Sequence, residues 1–215
     1  MQKHPEMIYL SLEERKYKVY VHRRVSQPVE HPRLAIVSFQ PNRWASEILR
    51  VCIRSIQRLT PEPHELWVVD NNSPWHHTAW LLHKKGINLA LNRTHPIPPG
   101  KRTLWHRLKR FYRPTRWGSY ANAIGLELAT CLIEPSSKYL MTLHMDILAG
   151  QKGWLSYIRS KLNDKVKAAG FYMQRFRYPQ GIAHILGCLV DFQTLKKLNL
   201  SFYPDLPRLD VGDAI

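Results

Sequence analysis

The chain has 215 residues, 44% apolar and 22% charged, a balance that supports one sizeable core and excludes a disordered chain. Its formal net charge is +16, a field that attracts phosphorylated substrates, anionic lipid or nucleic acid without choosing among them. No apolar run approaches the roughly 20 residues that span a bilayer, and residues 1–12 carry charges where a signal peptide is apolar. The expectation is a cytoplasmic protein, soluble or peripheral at the inner face of the cell membrane. Cys52, Cys131 and Cys188 each lie in an apolar run without metal-ligand spacing, which reads as buried free thiols in a reducing compartment.

In chain order, residues 1–33 are polar and charged, with Pro28 and Pro32 before the first strong strand, and read as an extension or edge hairpin. Residues 34–215 read as one domain. LAIVSF, from Leu34 to Phe39, is an unbroken apolar run, as expected of a strand covered on both faces. Between Trp44 and Leu59, helical spacing puts Ile48, Cys52, Ile56 and Leu59 on one face and Arg50, Arg54 and Arg58 on another. A second buried strand, His64 to Asp70, runs into Asn71-Asn72-Ser73-Pro74. There Ser73 suits an N-cap and Pro74 the first residue of a helix that closes at Lys84-Lys85-Gly86. Ile87 to Asn92 is a third strand. A basic, proline-rich stretch from Arg93 to Trp117 follows, and its part from Lys101 to Trp117 carries seven Lys/Arg, four aromatics and no acid. That segment suits a nucleic-acid backbone, an anionic membrane or a diphosphate, or is a solvated loop. Then come a helix over 118–134, a strand over 138–147, a short helix from Gly153, and strands near 166–173 and 182–192.

Alternation of strand and helix predicts a mainly parallel sheet, whose ligands sit outside the carboxyl ends of the strands. The residues at those ends are Ser38, Phe39 and Gln40, then Asp70 to Ser73, then His144 and Asp146. Asp70 has a ready alternative as a helix cap. Asp146 follows a mostly apolar run and has no immediate helix to cap. In an extended segment His144 and Asp146 share a side, and a carboxylate there suits a divalent cation that bridges phosphate oxygens.

The order of IVSF, VVDNNS, GSYANAIGLELA, YLMTLHMDI and a late acidic DVGDA resembles the family 2 glycosyltransferases, especially their rhamnosyltransferase-like branch. The resemblance covers roughly 34–215 and implies a single GT-A domain, a Rossmann-like α/β fold. It implies a hexosyltransferase-type enzyme that moves sugar from a nucleotide-diphospho-sugar to a saccharide or lipid-linked acceptor, inverting the anomeric centre. The same resemblance implies that Asp70 binds the nucleotide base, that Ser38, Phe39 and Gln40 line its pocket, and that Asn72 and Asn122 lie beside it. Asp146 matches the last acid of the family's DxD motif, which holds Mn²⁺ or Mg²⁺ against the diphosphate. His144 stands where the first acid is expected, so it is a candidate for both metal and donor. Asp213, or else Asp210, matches the general base, and Arg116 is placed to reach the diphosphate. The family continues beyond the position of Ile215, so a truncated domain is one expectation. Two other readings stay open. A basic nucleic-acid-binding protein explains the charge but leaves the strand-end acids without a task. A catalytically inactive glycosyltransferase-like protein is the other.

Overall fold

In the computed structural model the described residues are 5–96, 114–171, 184–204, 211–212 and 215. Three buried runs give the strands β3 (Arg33–Ser38), β4 (Glu65–Asn71) and β5 (Asn88–Asn92), every residue of which is buried. With β6 (Tyr139–His144) they form a parallel block in the order β5-β4-β3-β6. Such runs suit parallel strands because helices cover both faces of the sheet. Outside that block pairing is antiparallel. The hairpin β1 (Glu6–Leu12) and β2 (Arg15–His22) extends one side through β5, and β8 (His184–Asp191) and β7 (Ala168–Phe171) extend the other through β6.

The helices are α1 (Arg43–Leu59), α2 (Trp75–Thr78) continued by a 3-10 turn (Ala79–His83), α3 (Pro114–Leu132), α4 (Trp154–Arg159) and α5 (Phe192–Lys197). Two apolar clusters sandwich the sheet. One joins Val37, Val69 and Ala90 to Ile124, Leu128 and Leu132 of α3, and the other joins Ile36, Val68 and Leu89 to Leu49, Cys52, Ile53 and Ile56 of α1. At the amino edge, buried Glu65 accepts from the Gln27 N–H (2.8 Å), Trp67 Nε1 (3.0 Å) and Asn88 Nδ2 (3.3 Å), and it pairs with Arg33 (3.4 Å). That edge is closed by structure, which leaves the carboxyl edge for ligands.

Several expectations are corrected. Ser73 does not cap a helix: Pro74 holds the N-cap position without a side-chain bond, and only four α-helical residues follow before the 3-10 turn. The Ser73 hydroxyl is taken instead by Asp70. Of the expected α1 stripe, Cys52 and Ile56 pack against the sheet, but Ile48 faces outward, and Leu49 and Ile53 pack in its place because the buried face is turned toward them. Cys131 is exposed, while Cys52 and Cys188 are buried, and all three are free thiols. Helix α3 begins at Pro114 and ends at Leu132, a shift from 118–134. Strand β6 ends at His144, and a turn closed by Ile147 N–H to His144 O (3.2 Å) follows. The basic segment 101–117 falls outside the described residues apart from the backbone of 114–117.

Helix α3 meets β3 at Gly125, where an added Cβ would lie 2.4 Å from Val37 Cγ1 and 2.9 Å from Cγ2. Val37 is buried and β-branched, so it cannot swing clear. Gly125→Ala is expected to cost about 1–3 kcal/mol by overpacking, offset by about 1 kcal/mol of helix propensity. Chemical denaturation should show that loss, with Gly125→Ala/Val37→Ala less destabilised than the sum of the single variants. Additive losses would show that this close approach does not matter.

Candidate functional site

In the order β5-β4-β3-β6 the chain reverses direction of progress between β3 and β6, the position where open α/β sheets bind ligands. Register places Ser38 beside Asp70 on β4, and Val37 beside His144 on β6. The carboxyl ends of three strands therefore meet there. Ser38 is buried, and its hydroxyl has no hydrogen-bond partner among the described residues. A buried hydroxyl without a partner costs free energy, so it marks a position suited to a ligand or water. Phe39, the next residue, is exposed.

Asp70 is fully buried. One carboxylate oxygen accepts from the Ser73 hydroxyl (2.5 Å) and Gln40 Nε2 (3.4 Å). The other accepts from the Ser73 N–H (3.2 Å) and faces Arg93 Nη1 at 3.5 Å. Burial pushes its pKa up, against the opposing pull of Ser73, Arg93 and Gln40. Gln40 is itself held by Trp80 Nε1 (3.0 Å), and its N–H donates to the Ser73 hydroxyl (2.7 Å). Arg93 also donates to Ser73 O (3.1 Å) and lies 5.4 Å from the Trp75 ring centroid. Asp70 thus organises the loops after β3, β4 and β5 into one network. No oxygen of it faces open solvent.

A second network fixes the start of α3. Asn71 Nδ2 donates to Ala121 O (2.5 Å), and Asn92 Nδ2 donates to Asn71 Oδ1 (2.8 Å). Next to Asn71, Asn72 takes a left-handed backbone (φ 65°), a conformation that asparagine tolerates better than most residues. Asn122, adjacent to the tethered Ala121, is half-buried.

On the other side of β3, His144 Nδ1 and Asp146 Oδ1 are 2.5 Å apart. Asp146 lies in the turn after β6, with its side chain 57% exposed. The expectation that an extended strand aligns these two is therefore corrected: the turn at 144–147 brings them into contact. Beneath them, Cys52 is buried with its Sγ 3.9 Å from His144 O, and burial, followed by the Asp146 charge, pushes its thiol up to about 12. It is inert as a nucleophile or ligand. No group of three or more His, Cys, Asp or Glu able to hold a metal occurs among the described residues. One imidazole and one carboxylate still suit a cation whose other ligands are phosphate oxygens and water. This mixed pair favours a transition cation over Mg²⁺.

Among the remaining candidates, Arg116 lies in the first turn of α3, and its side chain is outside the described residues. Asp210 and Asp213 also lie outside them, although Val211 and Gly212 are described: Gly212 N–H donates to Phe202 O at 3.2 Å. Sequence reasoning missed Arg93, Ser73 as the partner of Asp70, and the Asn71–Asn92 pair. Applying the strand-end rule to β5, which ends in Asn92-Arg93, would have found two of them.

No protein-family model matches this sequence, and no curated protein is similar to it in sequence. In structure the chain is similar to a mannosyltransferase from Pyrobaculum calidifontis solved in complex with GDP-Man and Mn²⁺ (TM-score 0.57, 13% identity, 86% of this chain and 50% of that one). It is also similar to S. aureus TarS 1–349 (TM-score 0.50, 14% identity, 86% of this chain and 52% of that one). The chain spans about half the length of each. The fold is therefore a GT-A-like α/β domain with a mainly parallel central sheet, and no particular branch of that fold is singled out.

Proposed function

We propose that the protein is an inverting glycosyltransferase that moves a hexose from a nucleotide-diphospho-sugar to a saccharide or lipid-linked acceptor. The observation that carries this reading is the His144–Asp146 pair beside the end of β3, at the reversal point of a GT-A-like sheet. In this reading the acceptor hydroxyl attacks the anomeric carbon from the face opposite the diphosphate. The bond from sugar to diphosphate breaks, and its electron pair leaves with the phosphate. The acceptor proton passes to Asp213, or else Asp210, as general base.

A Mn²⁺ or Mg²⁺ ion, when bound, supplies Lewis-acid stabilisation of the leaving phosphate. Asp146 would hold it, with His144 as second donor, the two groups that touch each other here both turning to the cation. The nucleotide would rest at the ends of β3 and β4, near Ser38, Phe39, Asn72 and Asn122, with Arg116 near the diphosphate. Because Asp70 is fully enclosed, its proposed contribution to base binding runs through Gln40, Ser73 and Arg93, whose positions it sets.

A thermal-shift series with UDP-, GDP- and dTDP-sugars, each with and without Mn²⁺, tests the reading. A true donor present at about 100 times its Kd should add about 2.7 kcal/mol, a rise of roughly 5–10 °C in Tm. If no nucleotide sugar shifts Tm while DNA or RNA binds tightly and salt-sensitively, the chain is a nucleic-acid-binding protein.

A further inference from the structure

Helix α1 turns one apolar stripe to the sheet and leaves a second one bare. Trp44, Ile48 and Val51 are 79%, 44% and 48% exposed, and they fall within about 60° of one another around the helix axis. Helix α2 is tied to the opposite, buried side of α1, where Ser46 Oγ donates to His77 O (3.1 Å), so it leaves this stripe uncovered. Arg43, Arg50, Arg54 and Arg58 occupy the sector next to this stripe, and the helix has a single acid, Glu47, 3.6 Å from Arg50. Lys84 belongs to the same cluster: burial, then the charges of Arg54 and Arg50, lower its pKa. An apolar stripe bordered by four arginines, only one of them paired with an acid among the described residues, in a chain of net charge +16, is the pattern of a helix that lies in the headgroup region of an anionic bilayer.

We propose that the outer face of α1 docks this protein onto an anionic lipid surface, with Trp44, Ile48 and Val51 inserted and the arginines against lipid phosphates. Charge complementarity decides for lipid over an apolar protein partner, because the stripe has a flank of four arginines and one paired acid. Among the described residues no helix is long and apolar enough to cross a membrane, so contact is interfacial. Helix α1 starts directly after the carboxyl end of β3, so Trp44 lies at the same edge of the sheet as His144. Docking there would bring the candidate site to a lipid-linked acceptor. That consequence rests on the transferase reading; the docking itself does not.

The test is co-sedimentation of the full chain with phosphatidylcholine vesicles, with and without phosphatidylglycerol, and with no donor present. Binding is expected only with phosphatidylglycerol, together with a blue shift of tryptophan emission. Trp44→Ala/Ile48→Ala/Val51→Ala should lower the partition coefficient at least tenfold with Tm preserved. Arg54→Gln/Arg58→Gln should lower it by roughly fivefold per arginine. Absence of vesicle binding overturns the proposal. So does binding that survives the triple substitution, which would assign attraction to the basic segment 101–117. Self-association that the triple substitution abolishes, without vesicle binding, overturns it in favour of a second copy as occupant. The donor-induced thermal shift is measured on the same variants, so loss of docking and loss of donor binding are read separately.

Discussion

Asp146→Ala should lower sugar transfer about 10²–10³-fold and leave the fold intact. If the carboxylate helps hold the cation that stabilises the leaving diphosphate, its removal forfeits several kcal/mol of transition-state stabilisation, and each 1.36 kcal/mol is a factor of ten. The folded state loses little, because the side chain is 57% exposed and its one partner among the described residues, His144, is itself half-exposed. Substitutions at such positions fall within about 0.5 kcal/mol in stability, so Tm should move by no more than about 2 °C. Steady-state transfer or donor hydrolysis with the best donor, read beside Tm, checks this. Unchanged turnover would remove Asp146 from the reaction, and a collapse of Tm would give it a structural task instead.

The largest loss of stability is expected for Arg93→Ala. Arg93 sets its guanidinium against the buried Asp70 carboxylate, donates to Ser73 O and packs over Trp75. Removing one partner of a largely buried pair leaves an uncompensated charge, which costs about 3–5 kcal/mol. In a chain of this size that lowers Tm by roughly 6–20 °C. The effect has a definite pH dependence. Burial already holds the Asp70 pKa above the usual carboxylate value, and Arg93 opposes that shift. An acid whose folded pKa exceeds its unfolded pKa binds more protons when folded, so stability falls as pH rises between the two values. Loss of Arg93 widens that window upward. The gap in Tm between variant and wild type should therefore be small near the unfolded carboxylate pKa of about 4 and full at neutral pH. Adding Asp70→Asn, which removes the charge and keeps the shape, should recover more than half of the loss. Equal gaps at both pH values, or no rescue, would show that the pair does not hold this corner together.

Local pattern made much of this architecture readable. The runs at 34–39, 64–70 and 87–92 read as buried strands, because they are short, mostly apolar and bounded by turn and helix signals. The polar strand ends do lie together at the carboxyl edge of the sheet, since side chains there escape both the helices and the core. Beyond that, pattern was ambiguous. Both stripes of α1 are apolar, so period alone could not decide that Leu49, Ile53 and Ile56 pack while Trp44, Ile48 and Val51 stay out. Ser73-Pro74 has the composition of a helix start, yet Asp70 three residues earlier competes for the same hydroxyl, and tertiary burial decides for Asp70.

The sequence by itself determined the α/β class and the placement of Asp70, His144 and Asp146 at the carboxyl edge of the sheet, because propensity and periodicity act over a few residues. Tertiary structure alone decided the strand order β5-β4-β3-β6, the antiparallel flanks, the enclosure of Asp70 by Ser73, Gln40 and Arg93, and the turn that joins His144 to Asp146. These depend on contacts between residues distant in the chain. Their free energy comes from burial and desolvation, which no local pattern encodes.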